Sequence, residues 1–206
     1  MTDTGIFYGT GAAEGVPRPF CDCPMCNYAR EHGGKDVRKR SCFRLGRNIM
    51  IDMGPDIFTQ ALQYGSMCDI EHVLITHTHD DHFNFTALGL MSMATHLRTT
   101  PVHFYFSEEG YRFIELLRDS EIAFGGTLRG MEKKGIYAFH KLKYFETYSI
   151  GEYEVTPIRG NHGGNMAKER SANYVLKAKD GTKMLYGMDT GLYEDCLLYT
   201  SPSPRD

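Results

Sequence analysis

No stretch of this 206-residue sequence approaches the roughly 18 consecutive apolar residues that a membrane-spanning helix needs. Its start also lacks the basic and apolar regions of a secretory signal peptide. Both absences predict a cytoplasmic protein without a membrane partner. The sequence also lacks an excess of positive charge, since 23 Lys and Arg against 26 Asp and Glu give a net charge of -3. This balance argues against general binding of nucleic acid. No internal repeat is present, and the length favours one domain.

Cysteine is scarce outside one short segment, where Cys21, Cys23 and Cys26 form a C-x-C-x-x-C cluster. Without a secretory signal, such a cluster indicates metal binding rather than disulfides. Three thiolates are one ligand short of a closed tetrahedral zinc site. His32 is a local candidate for the fourth ligand, and a residue from a more distant part of the chain would serve equally well. The isolated Cys42 and Cys68 are predicted to be small buried hydrophobic residues.

The apolar pattern predicts short strands and helices that interleave without a regular β-α-β repeat. This organisation favours a layered α/β sandwich over a doubly wound sheet. Segments rich in glycine, at 9–30 and 125–135, are predicted as loops. The predicted strands are 5–9, 42–45, 48–52, 73–75, 102–106, 153–158, 174–178 and 184–186, and the predicted helices are 55–64, 85–97 and 111–117.

The strongest chemical signal is the segment Thr-His-Thr-His-Asp-Asp-His at 76–82, which follows a short apolar strand. His77 and His79 share one face of an extended segment, because side chains alternate with a period of two. Asp81 and His82 come where a turn brings two further ligands to the other side of a common centre. A solvated polar loop would not show this regular spacing of metal-ligating residues.

This segment resembles the H-x-H-x-D-H signature of the metallo-beta-lactamase superfamily, which stands here as His77, His79, Asp81 and His82. The later ligands of the family match His162 and Asp189. Asp52, at the end of a predicted strand, matches an early Asp that supports the ligand loop through hydrogen bonds. The resemblance implies a four-layer αββα sandwich around a pair of metal ions.

By the same resemblance, one metal ion is held by His77, His79 and His162. The second is held by Asp81, His82 and a final His that follows Asp189 in the family, and Asp189 bridges the two ions. Asp81 is the expected catalytic residue, because its carboxylate can orient the attacking hydroxide. Nitrogen and oxygen ligands fit zinc or manganese, and also iron. Two such ions together with one structural zinc are therefore the expected cofactors.

The opening of the chain narrows the resemblance. Gly9-Thr10-Gly11 leads through Pro17 to the cysteine cluster and then to Ala29-Arg30. This resembles the PhnP-like phosphodiesterases that hydrolyse phosphoribosyl 1,2-cyclic phosphate, in which the cysteines hold a structural zinc completed by a distant His. The implied partner is a small phosphodiester substrate. Whether the chain also forms a homodimer is left open by the sequence. Three alternatives remain: a transfer-RNA 3' processing nuclease, a protein like those of quinone-cofactor biosynthesis, and an inactive metal-binding fragment.

The last eleven residues, CLLYTSPSPRD at 196–206, resemble the translated read-through of a sequencing adapter. The alternative is a native disordered tail rich in Ser and Pro. On the adapter interpretation the domain covers 1–195 and is incomplete, and 196–206 is not native. The final His would then be missing, so we expect the chain as printed to be weakly active at best.

Overall fold

A computed structural model describes residues 4–93, 99–122 and 126–191. The predicted helical residues 94–97, the predicted domain boundary at 195 and the predicted tail at 196–206 lie outside these ranges. The strands are β1 (Gly5–Gly9), β2 (Cys42–Leu45), β3 (Ile49–Ile51), β4 (His72–Leu74), β5 (Val102–Ser107), β6 (Glu121–Ile122), β7 (Gly126–Thr127), β8 (Tyr137–Leu142), β9 (Tyr148–Ile150), β10 (Tyr153–Arg159), β11 (Ala172–Lys177) and β12 (Lys183–Tyr186). The helices are α1 (Pro24–His32), α2 (Ile57–Tyr64), α3 (Phe85–Met93), α4 (Glu108–Leu117) and α5 (Leu128–Lys133).

The first sheet has six strands in the order β1-β2-β3-β4-β5-β8. Strands β1, β2 and β3 pair antiparallel, whereas β3, β4, β5 and β8 pair parallel. The carboxyl ends of the four parallel strands therefore meet at one edge of the sheet. The segment 76–82 leaves β4 at this edge, so the sheet gives the predicted ligands a rigid base.

The second sheet is antiparallel, with the order β12-β11-β10-β9, and it packs face to face on the first. Alternate side chains of its strands point inward, as the period of a strand requires. Val155 and Tyr174 of the second sheet belong to the same buried cluster as Ile51 and Leu74 of the first. This apolar interface joins the strand that precedes the ligand loop to the half of the chain that carries His162 and Asp189.

Helices cover the other face of the first sheet. Leu88 of α3, Ile114 of α4 and Leu128 of α5 are fully buried in one cluster with Phe104 and Phe106 of β5. Within the described ranges no helix follows β12, so helix, sheet and sheet are the three layers seen there. In the same residues, no helix has both the length and the apolar character needed to cross a membrane.

Two predicted loops were wrong, because each contains a short helix. Helix α1 begins within the predicted loop 9–30 and ends at His32, beyond it. Pro24 lies in its first turn, where a missing N–H costs nothing, and Cys26 and Ala29 are buried. Helix α5 lies within the predicted loop 125–135 and is capped by the Thr127 hydroxyl, which accepts the Gly130 N–H at 3.0 Å. In both helices, buried side chains outweigh the low helix propensity of the neighbouring glycines.

Strands β6, β7, β8 and β9 were not predicted. Strands β6 and β7 pair with each other, whereas β8 and β9 pair along their length with β5 and β10, whose positions were predicted from sequence. The prediction of buried cysteines was correct for Cys42, which is fully buried, and wrong for Cys68, which is exposed in the turn after α2.

Candidate metal centre

A tight turn directly after β4 forms the ligand loop. The strand pairing continues one residue beyond β4, where the Ile75 N–H donates to the Tyr105 carbonyl at 2.9 Å. The chain then turns, and the N–H groups of His82 and Phe83 both donate to the His79 carbonyl, at 2.9 and 2.8 Å. Phe83 is fully buried and anchors the end of the turn. The turn thereby brings Asp81 and His82 back toward the histidines that precede them.

Three imidazoles form the first half of the centre. The ligand atoms of His77, His79 and His162 all lie within 4.8 Å of one another. His77 Nε2 is 3.0 Å from His79 Nδ1, and His162 Nε2 is 3.4 Å from the same atom. Ligand atoms bound to one ion at about 2 Å must lie this close together. His162 comes from the segment between β10 and β11, so the second sheet supplies the third imidazole.

The second half combines imidazoles with carboxylates. His77, His82 and Asp189 offer ligand atoms within 4.8 Å of one another. His82 Nε2 lies 3.0 Å from Asp189 Oδ2 and 3.2 Å from Asp81 Oδ2. The structure thus brings all six predicted ligands together, although their roles as ligands stay predictions. Asp80, the remaining acid of the motif, is exposed and belongs to neither group.

Asp52 supports the ligand loop from behind. Its carboxylate is fully buried, accepts the Thr76 N–H at 2.8 Å, and lies 2.7 Å from His82 Nδ1. The Thr76 hydroxyl donates to the same carboxylate at 2.9 Å. A carboxylate on the rear nitrogen of a histidine fixes the ring and directs the other nitrogen toward a metal. The predicted supporting position of Asp52 therefore has the contacts that this role needs.

Three acids surround His82. Burial alone would lower the pKa of this imidazole, but Asp52, Asp189 and Asp81 raise it to about 12. The hydrogen bond from His82 in turn lowers the pKa of Asp189 to about 2, with His77 and His162 contributing. Burial and the neighbouring imidazoles lower the pKa of His77 to about 3, which leaves this ring neutral. The neutral imidazole of His77 and the ionised carboxylate of Asp189 are donors that divalent cations prefer, and His82 would release its proton on binding a metal, so these residues fit metal ions.

The cysteine cluster forms a second, separate group. The Sγ atoms of Cys21, Cys23 and Cys26 lie within 4.8 Å of one another. Hydrogen bonds from the Cys26 backbone, and then from the Cys21 and Cys26 thiols, lower the pKa of Cys23 to about 7. A thiol that ionises near neutral pH is suited to bind metal. His32 is not part of this group. Its ring stacks on the ring of Tyr28, with 3.9 Å between the ring centroids, so the structure does not support His32 as the fourth ligand.

Sequence reasoning missed the threonines that alternate with the histidines. Thr76 and Thr78 are fully buried, and their hydroxyl groups donate to two buried acids, Asp52 and Glu169, that are not among the predicted ligands. The alternation Thr-His-Thr-His was a visible signal for this arrangement. The partner of Thr78 is Glu169, which lies 91 residues further on, and no local pattern marks it.

Comparison with known proteins identifies the protein family to which this chain belongs. Residues 47–200 match the family model of the beta-lactamase superfamily domain, and the chain belongs to this family. A solved diphosphatase of the PhnP family shares 22% sequence identity and a TM-score of 0.65, with 85% of this chain and 62% of that chain covered. Zinc-bound PqqB from Methylobacterium extorquens shares 18% identity and a TM-score of 0.64, with 88% and 63% covered. These likenesses confirm the predicted metallo-beta-lactamase fold.

Human tRNase Z, short form, has the same fold, with 20% identity, a TM-score of 0.58, and 94% of this chain and 71% of that chain covered. Among curated proteins, an octanoyltransferase from Porphyromonas gingivalis is 36% identical over 81 residues, which are 37% of this chain and 16% of that protein. The chain therefore spans a small part of this relative, and 62% and 63% of the first two solved structures.

Proposed function

We propose that this protein is a metal-dependent phosphodiesterase that opens a small cyclic phosphodiester such as phosphoribosyl 1,2-cyclic phosphate. The observation that carries the proposal is the convergence of four imidazoles and two carboxylates at one edge of the sheets. These groups come from three separate parts of the chain, so their meeting does not follow from local sequence. The cysteine cluster and the fold shared with a PhnP-family diphosphatase favour this branch of the superfamily.

The two halves of the centre would hold two divalent ions, zinc or manganese. His77, His79 and His162 would bind one ion, and Asp81 and His82 would contribute to the other, with Asp189 between them. When bound, such an ion pair lowers the pKa of a shared water and stabilises negative charge on phosphoryl oxygens. The cysteine cluster would hold a third, structural ion.

Asp81 would orient the attacking water. Burial tends to raise the pKa of its carboxyl group, but the hydrogen bond and charge of His82 lower the pKa below its ordinary value. The group therefore stays ionised at neutral pH and can accept a hydrogen bond from the nucleophile. Asp81 Oδ2 lies 3.2 Å from His82 Nε2, a separation that two ligand atoms of one ion can have.

The substrate would be small rather than a long RNA. A net charge of -3 gives no general attraction for the many phosphates of a nucleic acid. Basic residues near the start of the chain are engaged within the fold, since Arg40 pairs with Asp56 at 2.8 Å and Arg44 with Asp69 at 2.7 Å. Residues 35–47 are rich in Lys and Arg, and these two ion pairs favour a role within the fold for that segment over contact with a phosphate group.

The test compares two substrates on the purified full chain after incubation with zinc or manganese. We expect opening of phosphoribosyl 1,2-cyclic phosphate and no removal of a 3' trailer from precursor transfer RNA. Asp81→Asn should lower turnover at least ~100-fold, the usual contribution of a positioned acid or base. Asp80→Asn is the matched control, because Asp80 is the exposed neighbour of Asp81 in the same loop.

Two of the three alternatives, the nuclease and the inactive fragment, have their own signature in this experiment. Trailer removal without opening of the cyclic ester would favour the nuclease, and would contradict the proposal. Metal binding without turnover of either substrate would favour an inactive metal-binding fragment and would also contradict it. The sequence contains no His after Asp189 that could supply the predicted final ligand, so turnover is scored against the Asp81→Asn protein rather than as an absolute rate.

A further inference from the structure

A buried carboxylate lies directly behind the ligand loop. Glu169 is 2% exposed, and its carboxylate accepts the Thr78 N–H at 2.8 Å and the Thr78 hydroxyl at 2.6 Å. It also accepts the Met166 N–H at 3.1 Å. Burial of a carboxylate is costly, and these three hydrogen bonds offset the cost. Two of these three hydrogen bonds come from Thr78, so the buried carboxylate has a more specific role than filling space.

The segment that carries Glu169 also carries His162. It leaves β10 and returns to β11, and it is closed on itself by hydrogen bonds from Gly160 N–H to the Ser171 carbonyl at 2.7 Å and from Ser171 N–H to the His162 carbonyl at 2.8 Å. The position of Glu169 and the position of His162 are therefore linked through a short, hydrogen-bonded loop.

The same segment holds Thr78 with a second residue. The Asn165 N–H donates to the Thr78 hydroxyl at 3.0 Å, and the Asn165 side-chain amide donates to the Thr78 carbonyl at 2.5 Å. Gly164 leaves room for this arrangement, since a Cβ there would lie 2.1 Å from the Glu169 carboxyl carbon. The N–H, the carbonyl and the hydroxyl of Thr78 are thus all bonded to the loop that carries His162.

We propose that Glu169 is a positioning residue that sets His162 against His77 and His79 by binding Thr78, the residue between those two histidines. Thr78 points to the side of the extended segment opposite the two imidazoles. A contact on this side fixes their backbone without occupying the centre. The inference rests on the proposed metal site, and its test measures metal binding independently of hydrolysis.

The test uses a matched pair of variants at Thr78. Thr78→Val keeps the shape and removes the hydroxyl, whereas Thr78→Ser keeps the hydroxyl. Co²⁺ is titrated into metal-free protein, because thiolate-to-metal charge-transfer absorption reports the cysteine cluster and weaker visible bands report the His/Asp centre. We expect Thr78→Val and Glu169→Gln to weaken Co²⁺ binding at the His/Asp centre about tenfold, the lower range for residues that support metal ligands. Thr78→Ser should bind as the native chain does, and the cysteine cluster should be unaffected in all three.

Glu132→Gln is the control for a general loss of stability. Glu132 accepts two hydrogen bonds from Arg118, both 2.8 Å, in a part of the fold away from the centre. This variant should lower Tm and leave Co²⁺ binding unchanged. Unchanged binding in Glu169→Gln, or equal weakening in Glu132→Gln, would overturn the inference. If the native chain binds Co²⁺ with the expected differences among variants but opens no phosphodiester, the proposed function fails and the inference stands.

Discussion

At the scale of single residues, two acids of the centre adopt backbone conformations that most residues avoid. Asp52 has a φ of 64° and Asp189 a φ of 46°, both in the left-handed region. Asp and Asn tolerate this region better than other residues with a side chain. Such conformations persist where surrounding contacts outweigh their cost, and they concentrate at functional sites. At Asp52 those contacts are the bonds to Thr76 and His82.

Asp52→Asn is the sharpest test of this arrangement, because Asn keeps both the shape and the tolerance of the left-handed backbone. The substitution removes the charge that orients His82. We expect Zn²⁺ affinity at the His/Asp centre to fall about 10- to 100-fold, the usual effect of losing a carboxylate behind a metal-bound histidine. Competition with a chromophoric chelator measures it. An unchanged affinity would show that the hydrogen bond to His82 needs no charge.

A second residue-scale constraint lies at Gly54, close to the ligand turn. A Cβ at this position would lie 2.2 Å from the Asp81 carbonyl oxygen. Backbone atoms cannot move aside as a flexible side chain can, so any other residue would displace the turn that carries Asp81 and His82.

At the scale of elements, the cysteine segment joins a turn to the first turn of α1. Cys21 and Cys23 precede the helix and Cys26 lies within it, so a bound ion would tie the loop to the helix. The Arg30 guanidinium reinforces this join, because it donates to the carbonyls of Arg18 and Cys21 at 2.8 and 2.6 Å. A segment rich in turns thereby gains a fixed conformation from a few polar contacts.

Replacement of one cysteine tests whether this element depends on metal. Cys23→Ser should lose about one equivalent of zinc per chain and lower Tm, because structural zinc sites stabilise the fold directly. Cys68→Ser is the matched control, since Cys68 is exposed and lies outside the ligand groups found among the described residues. Zinc content from plasma emission spectroscopy and Tm from calorimetry provide the two readouts. Equal zinc content in the two variants would exclude the cysteine cluster as a metal site.

The elements also show how far a sequence can be interpreted by itself. The strand β1 and the spacing of 76–82 were predictable, because each is a short pattern of neighbouring residues in the sequence. Helix α5 was not, since its stability comes from Leu128 and Met131 packing on distant strands. The contact between Glu169 and Thr78 spans 91 residues and leaves no local pattern. The signature residues of the centre and the supporting Asp52 were therefore visible in the sequence, whereas the contact that holds the ligand loop through Thr78 was not.

At the scale of the whole molecule, the first sheet carries histidines at two places. The His/Asp centre lies beyond the carboxyl end of β4, and a second set lies on the strands themselves: His72 on β4, His103 on β5 and His140 on β8. His103 Nδ1 is 2.8 Å from His140 Nε2, and His72 Nδ1 is 3.1 Å from the Tyr105 hydroxyl. These half-buried rings are in contact from strand to strand across the sheet.

This second set should make the stability of the fold depend on pH. Burial, followed by the charge of His103, lowers the pKa of both His72 and His140, and Glu71 offsets the effect in part at His72. The unfolded chain, in which histidine titrates near pH 6.5, therefore binds more protons than the folded chain just below that pH. The free energy of unfolding should consequently fall as the pH drops below about 6.5.

The substitution His140→Gln tests this prediction, because glutamine keeps a hydrogen-bonding group for His103 and cannot become charged. In chelator-treated protein, urea unfolding at pH 7.5 and pH 5.5 should show a smaller loss of stability for His140→Gln than for the native chain. His32→Gln is the control, since His32 is exposed and stacks on Tyr28. It should lose as much stability on acidification as the native chain. An equal loss in His140→Gln would contradict the prediction, because it would mean that His140 binds protons equally in the folded and unfolded chain and that other groups account for the acid sensitivity.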